Sequence, residues 1–156
     1  IRGGVSFCPP AWKTSPERAA LLALYREVDE LLAPFSCPGS TECCQFALTN
    51  REPYPTAVEL AEVEWGVRGR GLRLAPGTGR PARKLVEGST GRCPLLSAEG
   101  RCRIYEARPF GCRTFFCERV TGPGRLPRQE VQRLARAVAD VSARFAPRDP
   151  GPRPLV

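Results

Sequence analysis

The segment "FSCPGSTECCQF", residues 35–46, sets Cys43 and Cys44 side by side, six and seven residues after Cys37. A second group follows as Cys93, Cys102, Cys112 and Cys117, with intervals of eight, nine and four residues, and Cys8 stands apart near the N-terminus. Eight thiols in 156 residues can serve as disulfides or as metal ligands. Vicinal cysteines do not easily bridge to each other across one peptide bond, and a chain of this length can bury a core without staples, so the balance favours metal. The intervals reproduce neither the paired C-x2-C knuckles of zinc ribbons nor the ferredoxin runs. One or two thiols can be buried as small hydrophobes, but seven in two short windows require another reason, and ligation of at least one metal or cluster supplies it. Adjacent side chains diverge, so Cys43 and Cys44 point naturally to two different metals. Eight thiolates suit two four-thiolate sites, as zinc ions or as cubane clusters, and equally one such site with the remaining thiols structural or redox-active.

What the chain lacks narrows the chemistry further. Without histidine there is no ready general base at neutral pH and no three-ligand catalytic zinc of the usual kind, which disfavours hydrolysis. Glu42 and Glu106 are conceivable acid–base groups, although surface carboxylates explain them as well. No nucleophile or cofactor loop is identifiable, so an enzyme, or an enzyme accessory in redox or protein modification, is the alternative rather than the first reading. The fragment "GRGLRL" lacks the third glycine, the preceding strand and the following helix of a phosphate-binding loop.

Of the 24 basic residues only Lys13 and Lys84 are lysine, and the formal net charge is +8. Metal-bound thiolates would offset much of that excess, which weakens the case for an anionic partner. A nucleic-acid interface on the arginines of residues 66–92 and 125–136 is a second alternative, weakened because few aromatics interleave with them. A protein partner is left open. No run approaches the roughly 20 apolar residues of a membrane span, so a soluble, non-membrane protein is expected. No stretch reads as a signal peptide; the start at Ile1 without methionine implies removal of something ahead of it, and a cytoplasmic location is the expectation.

The elements that must position these thiols are mostly helical. The arm "IRGGVSFCPPAWK" is irregular, with Pro9 and Pro10 after Cys8. Thr14 and Glu17 fit a capping box, Pro16 suits a first turn, and Leu21, Leu24, Tyr25, Val28, Leu31 and Leu32 share one face of a helix that stops near Ala33, before Pro34. A short helix from Thr56, where Glu59 completes a second capping box, ends at Trp65 before Gly66, with Val58, Ala61 and Trp65 towards the core. Residues 66–92 hold seven glycines and six arginines and read as short strands, Leu72/Leu74 and Leu85/Val86, with a mobile loop between them. A last helix from about Pro127 carries Val131, Leu134, Val138, Val141 and Phe145 as a core-facing stripe. The expected fold is mostly α with small irregular and β segments: one compact cysteine-cluster metal-binding domain over residues 1–146, core 35–119, flanked by N- and C-terminal helices. Residues 147–156 are expected to be a proline-rich disordered tail.

The second cysteine group carries a family resemblance. Gly91, Cys93 and Leu96 fit G-x-C-x-x-L, and Cys102, Ile104, Tyr105, Arg108, Pro109, Cys112, Arg113 and Phe115 fit C-x-I-Y-x-x-R-P-x-x-C-R-x-F. Together they resemble the cysteine-cluster proteins named for C-x2-C-x2-C-C, which are zinc- or iron-chelating domains and look like the cysteine-rich part of flagellin lysine methylases. Cys37, Cys43 and Cys44 match the naming motif, but Ser40 stands at its second cysteine, and Cys8 is the candidate replacement. The resemblance spans about residues 35–119; with Cys8, which the family pattern does not supply, all-cysteine ligation by Cys8, Cys37, Cys43, Cys44, Cys93, Cys102, Cys112 and Cys117 is expected, with one or two sites. An iron–sulfur cluster is preferred over zinc because knuckles are absent and because Tyr105, Phe110, Phe115 and Phe116 would wall a buried site from water. Arg108 and Arg113, flanking Cys112, are expected to donate to thiolate sulfur and offset its charge.

Overall fold

The computed structural model describes residues 8–35, 44–45, 52–72, 91–114, 126–153 and 155. Four α-helices are found among them: α1 (Pro16–Leu32), α2 (Ala57–Gly69), α3 (Phe110–Arg113) and α4 (Arg128–Phe145). Short 3-10 turns at Trp12–Thr14 and Tyr105–Ala107 precede α1 and α3. The protein is mostly helical, as expected, and the described β pairing is confined to two isolated antiparallel bridges, Gln45 with Arg92 and Leu96 with Cys102.

Helix α1 begins one residue later than the capping-box reading places it. Thr14 closes the 3-10 turn, its hydroxyl donating to the Ala11 carbonyl at 3.4 Å, so Ser15 becomes the cap and its hydroxyl accepts from the Arg18 N–H at 3.1 Å. Pro16 then occupies the first turn, where its missing N–H costs nothing. Leu21, Tyr25, Val28 and Leu32 are buried along one face.

The Thr56/Glu59 capping box is present, with Thr56 N–H donating to Glu59 at 2.8 Å, but α2 does not stop at Trp65. It runs through Gly66 to Gly69, because Gly66 is where the helix meets the Tyr105–Ala107 turn. A Cβ at Gly66 would lie 2.6 Å from the Ala107 Cβ, so this glycine permits close approach and does not terminate the helix. Val58 and Ala61 face one core cluster with Trp12, Leu21, Tyr25, Val28, Leu134, Val138 and Val141. Val63 and Val67 face a second, with Leu95, Ile104, Ala107 and Leu155. Trp65 is only partly buried, packed on the first. Helix α2 therefore lies between the cluster that takes in Cys8 and Phe110 and the one on which Cys93 and Cys102 pack.

The stripe on α4 packs as expected: Leu134, Val138 and Val141 are buried, with Val131 and Phe145 partly so. The Phe145 ring meets Trp12 edge-on at 5.2 Å. The tail corrects its expectation. Where it is described it lies against α2: the Ala57 N–H and the Ser142 hydroxyl donate to the Pro150 carbonyl at 3.4 and 2.8 Å, and Arg153 N–H donates to Pro55 at 2.9 Å. Leu155 is 1% exposed. Composition suggested disorder, but prolines tolerate an extended path whose carbonyls a neighbouring helix N-terminus can use.

No described helix is long and apolar enough to cross a membrane. Most of residues 66–92, including the expected strands and the "GRGLRL" fragment beyond Leu72, lie outside the described residues.

Candidate metal centre

The eight-residue interval between Cys93 and Cys102 is folded back on itself. Leu96 N–H donates to the Cys93 carbonyl at 3.1 Å, closing a turn over Cys93-Pro94-Leu95-Leu96, and Ser97 N–H donates to Arg101 at 2.8 Å. Gly100, at φ +75°, makes the reversal in a left-handed conformation that other residues rarely adopt. Arg103 N–H returns to the Leu95 carbonyl at 2.9 Å, and Cys102 bridges Leu96 across the hairpin. Cys93 and Cys102 both pack on the second core cluster. Spacing that looks wrong for a knuckle along the chain is thus shortened in space.

The first cysteine group reaches this hairpin through one strand-like contact. Cys93 N–H donates to the Cys44 carbonyl at 2.8 Å, and Gln45 pairs with Arg92 alongside. Residues separated by nearly fifty positions are brought side by side. Cys112 comes next along the chain on α3, its N–H donating to Pro109 at 2.9 Å. Cys8 is buried in the first cluster; its backbone N–H donates to the Glu64 carboxylate at 3.0 Å, and burial, reinforced by Glu64, raises its thiol pKa. Cys37, Cys43 and Cys117, together with Ser40, Glu42, Phe115 and Phe116, lie outside the described residues. Among the described residues alone, no three potential ligands converge as a metal-holding group. The donor chemistry fits zinc or iron: Cys44, Cys93, Cys102 and Cys112 are soft sulfur donors, presented by short segments that the backbone pairs or joins directly.

The described bonds of the flanking arginines go to oxygen, and their guanidinium groups lie on aromatic rings. Arg113 is buried, and its described bonds go to oxygen: Nη1 to Asp29 at 2.5 Å, Nη2 to the Glu106 carbonyl at 2.6 Å and Nε to the Arg108 carbonyl at 3.0 Å. Its guanidinium lies 4.0 Å from the Tyr25 ring centroid. Burial lowers its pKa while Asp29 opposes, and arginine stays charged in either case. Arg108 approaches the other Asp29 oxygen at 3.6 Å and lies over Tyr105 at 3.8 Å. Tyr105 is 57% exposed and lies under the Arg108 guanidinium, whereas Phe110 is buried in the first core cluster. Glu106 contributes its carbonyl to Arg113.

Three residues that sequence reasoning gave no part at the site belong to its surroundings: Asp29, Tyr25 and Glu59. Glu59 accepts from the Tyr25 hydroxyl at 3.2 Å and from the Phe110 N–H at 2.6 Å, besides capping α2. The available signal was positional: Asp29 stands four residues after Tyr25, at the edge of the apolar stripe of α1, where an acid can reach across to a neighbouring segment. A second buried carboxylate, Glu62, takes the Trp12 indole N–H at 2.8 Å and pairs with Arg18 at 2.8 Å, which ties the arm after Cys8 to α2.

Residues 36–136 match the family model CxxCxxCC, described as a putative zinc- or iron-chelating domain. The match extends beyond the motif resemblance, past residue 119 and into α4, and leaves α1 outside. No curated protein and no solved structure matches the chain.

Proposed function

Because the chain belongs to the CxxCxxCC family of zinc- or iron-chelating domains, we propose that it is a metal-organised module whose cysteines hold zinc or iron through thiolates. The observation that carries this reading is the 2.8 Å bond from Cys93 N–H to the Cys44 carbonyl, which joins the two cysteine groups. Cys44, Cys93 and Cys102, on segments that the backbone pairs, are the first candidate ligands; Cys112, Cys37, Cys43 and Cys117 join them by motif and interval, and Cys8 is the reserve for the position held by Ser40. When bound, the metal supplies a cross-link between segments too short to hold themselves, and this chain's part is to present deprotonated sulfur and exclude water. The Ser97–Arg101 reversal folds the Cys93–Cys102 interval into a hairpin and Tyr105 is exposed, and either metal is compatible with both. A structural role follows for zinc, a redox or accessory role for a cluster.

The test is metal content and a visible spectrum on protein purified without oxygen, with a Cys93→Ser/Cys102→Ser variant beside it. Zinc in colourless protein, lost in the variant, supports the structural module. Brown protein with iron and acid-labile sulfide assigns a cluster. Protein that takes up neither metal under reducing conditions overturns the reading.

A further inference from the structure

A four-residue helix cannot hold its own shape. Nucleating a helical turn is unfavourable, and α3 (Phe110–Arg113) is far below the length at which a helix persists alone. The placement of Cys112 must therefore be imposed from outside α3, and the contacts that do so converge from two other helices. At its start, Phe110 N–H donates to Glu59 of α2 at 2.6 Å. At its end, Arg113 is held by Asp29 of α1 at 2.5 Å and by the carbonyls of Glu106 and Arg108. Tyr25 closes the circuit, its hydroxyl on Glu59 and its ring under the Arg113 guanidinium. Asp29 also approaches Arg108 at 3.6 Å, so one carboxylate engages arginines on both sides of Cys112.

Building on the metal-chelating reading above, we infer that Asp29 is a positioning residue for the metal centre: it fixes Cys112 through Arg113 and Arg108, although it lies on a helix outside the family match. The charge is essential to this role. The Arg113 side chain is 4% exposed and the Asp29 side chain 44%, so the carboxylate stands at the solvent edge and compensates a guanidinium that is otherwise enclosed. Asparagine would keep the size and one acceptor but leave that cation facing only carbonyls and a ring. The tie makes docking of α1 and metal binding mutually dependent: whatever loosens α1 loosens the Cys112 helix, and whatever holds Cys112 favours docked α1.

The experiment compares the full-length wild type, Asp29→Asn, Asp29→Glu and Val141→Ala, the last a core variant on α4 whose side chain makes none of the tie's hydrogen bonds or ion pairs. Affinity for zinc, and for ferrous iron with sulfide, is measured by competition with a chelator. Amide exchange at Cys112, Arg113 and Thr114 is followed in metal-free protein. Asp29→Asn is expected to lose about tenfold or more in metal affinity, the usual scale for residues that orient a ligand. It should also exchange faster across α3, with Asp29→Glu recovering part of both. Val141→Ala should lower thermal stability without these changes. Equal affinity loss in Asp29→Asn and Val141→Ala, or unchanged exchange in Asp29→Asn, overturns the inference. If the wild type binds neither metal, the functional reading fails by itself, and the exchange comparison still decides whether Asp29 holds the helix.

Discussion

Where α1, α2 and α4 meet, Trp12, Leu21, Val28 and Leu134 are fully enclosed, and the packing is side chain on side chain. From Gly91 to Arg113 the chain buries a smaller apolar set, Leu95, Ile104 and Ala107, and is otherwise organised by backbone bonds closing tight turns and by Glu59 and Asp29 reaching in from the frame. The frame draws on apolar burial, which is non-directional and large; the cysteine-bearing segments draw on directional bonds that are each worth only about 1 kcal/mol net. Such a region has little reserve of its own, which is where a bound metal has most to add.

The difference is broken most directly by truncation on each side of α2. Leu134→Ala should cost about 2–5 kcal/mol in denaturant unfolding, as full core cavities do. Leu95→Ala, in the smaller cluster beside the hairpin, should cost less and should weaken protection chiefly around residues 91–107. Equal costs with equal spread would show one cooperative core, and the two-region picture would be wrong.

The contact at Gly66 is the next largest lever. Gly66→Ala gains about 1 kcal/mol of helix propensity but must displace Ala107, and overpacking of this kind costs about 1–3 kcal/mol. The net result should be destabilisation, with the hairpin side exchanging faster. At Gly69, on the same helix, a Cβ meets nothing within 4 Å, so Gly69→Ala should stabilise by about 0.4–1 kcal/mol. Opposite signs in thermal melts of these two variants would localise the constraint to the Ala107 contact.

A smaller effect separates the two supports of α3 by pH. Burial, with Glu59 beside it, holds the Tyr25 phenol well above its ordinary range. The folded protein keeps a proton that the unfolded chain releases. Its stabilising contribution is therefore complete below about pH 10, the ordinary phenol pKa, and is lost as pH rises beyond it. Tyr25→Phe should cost about 1 kcal/mol at neutral pH and flatten the alkaline loss in urea titrations. A variant that loses stability above pH 10 as steeply as the wild type would exclude Tyr25 as the source.

Much of the frame was legible because periodicity reports burial: the stripes of α1 and α4 and the Thr56/Glu59 capping box all stand in the sequence. Legibility failed where a residue's role depends on what lies across from it. Gly66 reads as a stop until Ala107 faces it, and the prolines of the tail read as disorder until Ala57 and Ser142 donate to Pro150. Arg113 was legible as important from its place beside Cys112, but its bonds to Asp29, Glu106 and Arg108 were not.

By itself the sequence determined the family, the two cysteine groups and the amphipathic helices, since motif identity, residue type and apolar spacing are properties of residues in order. Only the tertiary structure decided that Cys44 lies beside Cys93, that an eight-residue interval closes into a hairpin, and that α1 holds the Cys112 helix through Asp29. The physical reason is that hydrogen bonds and ion pairs between distant segments leave no periodic trace along the chain, whereas the burial of a helix face does.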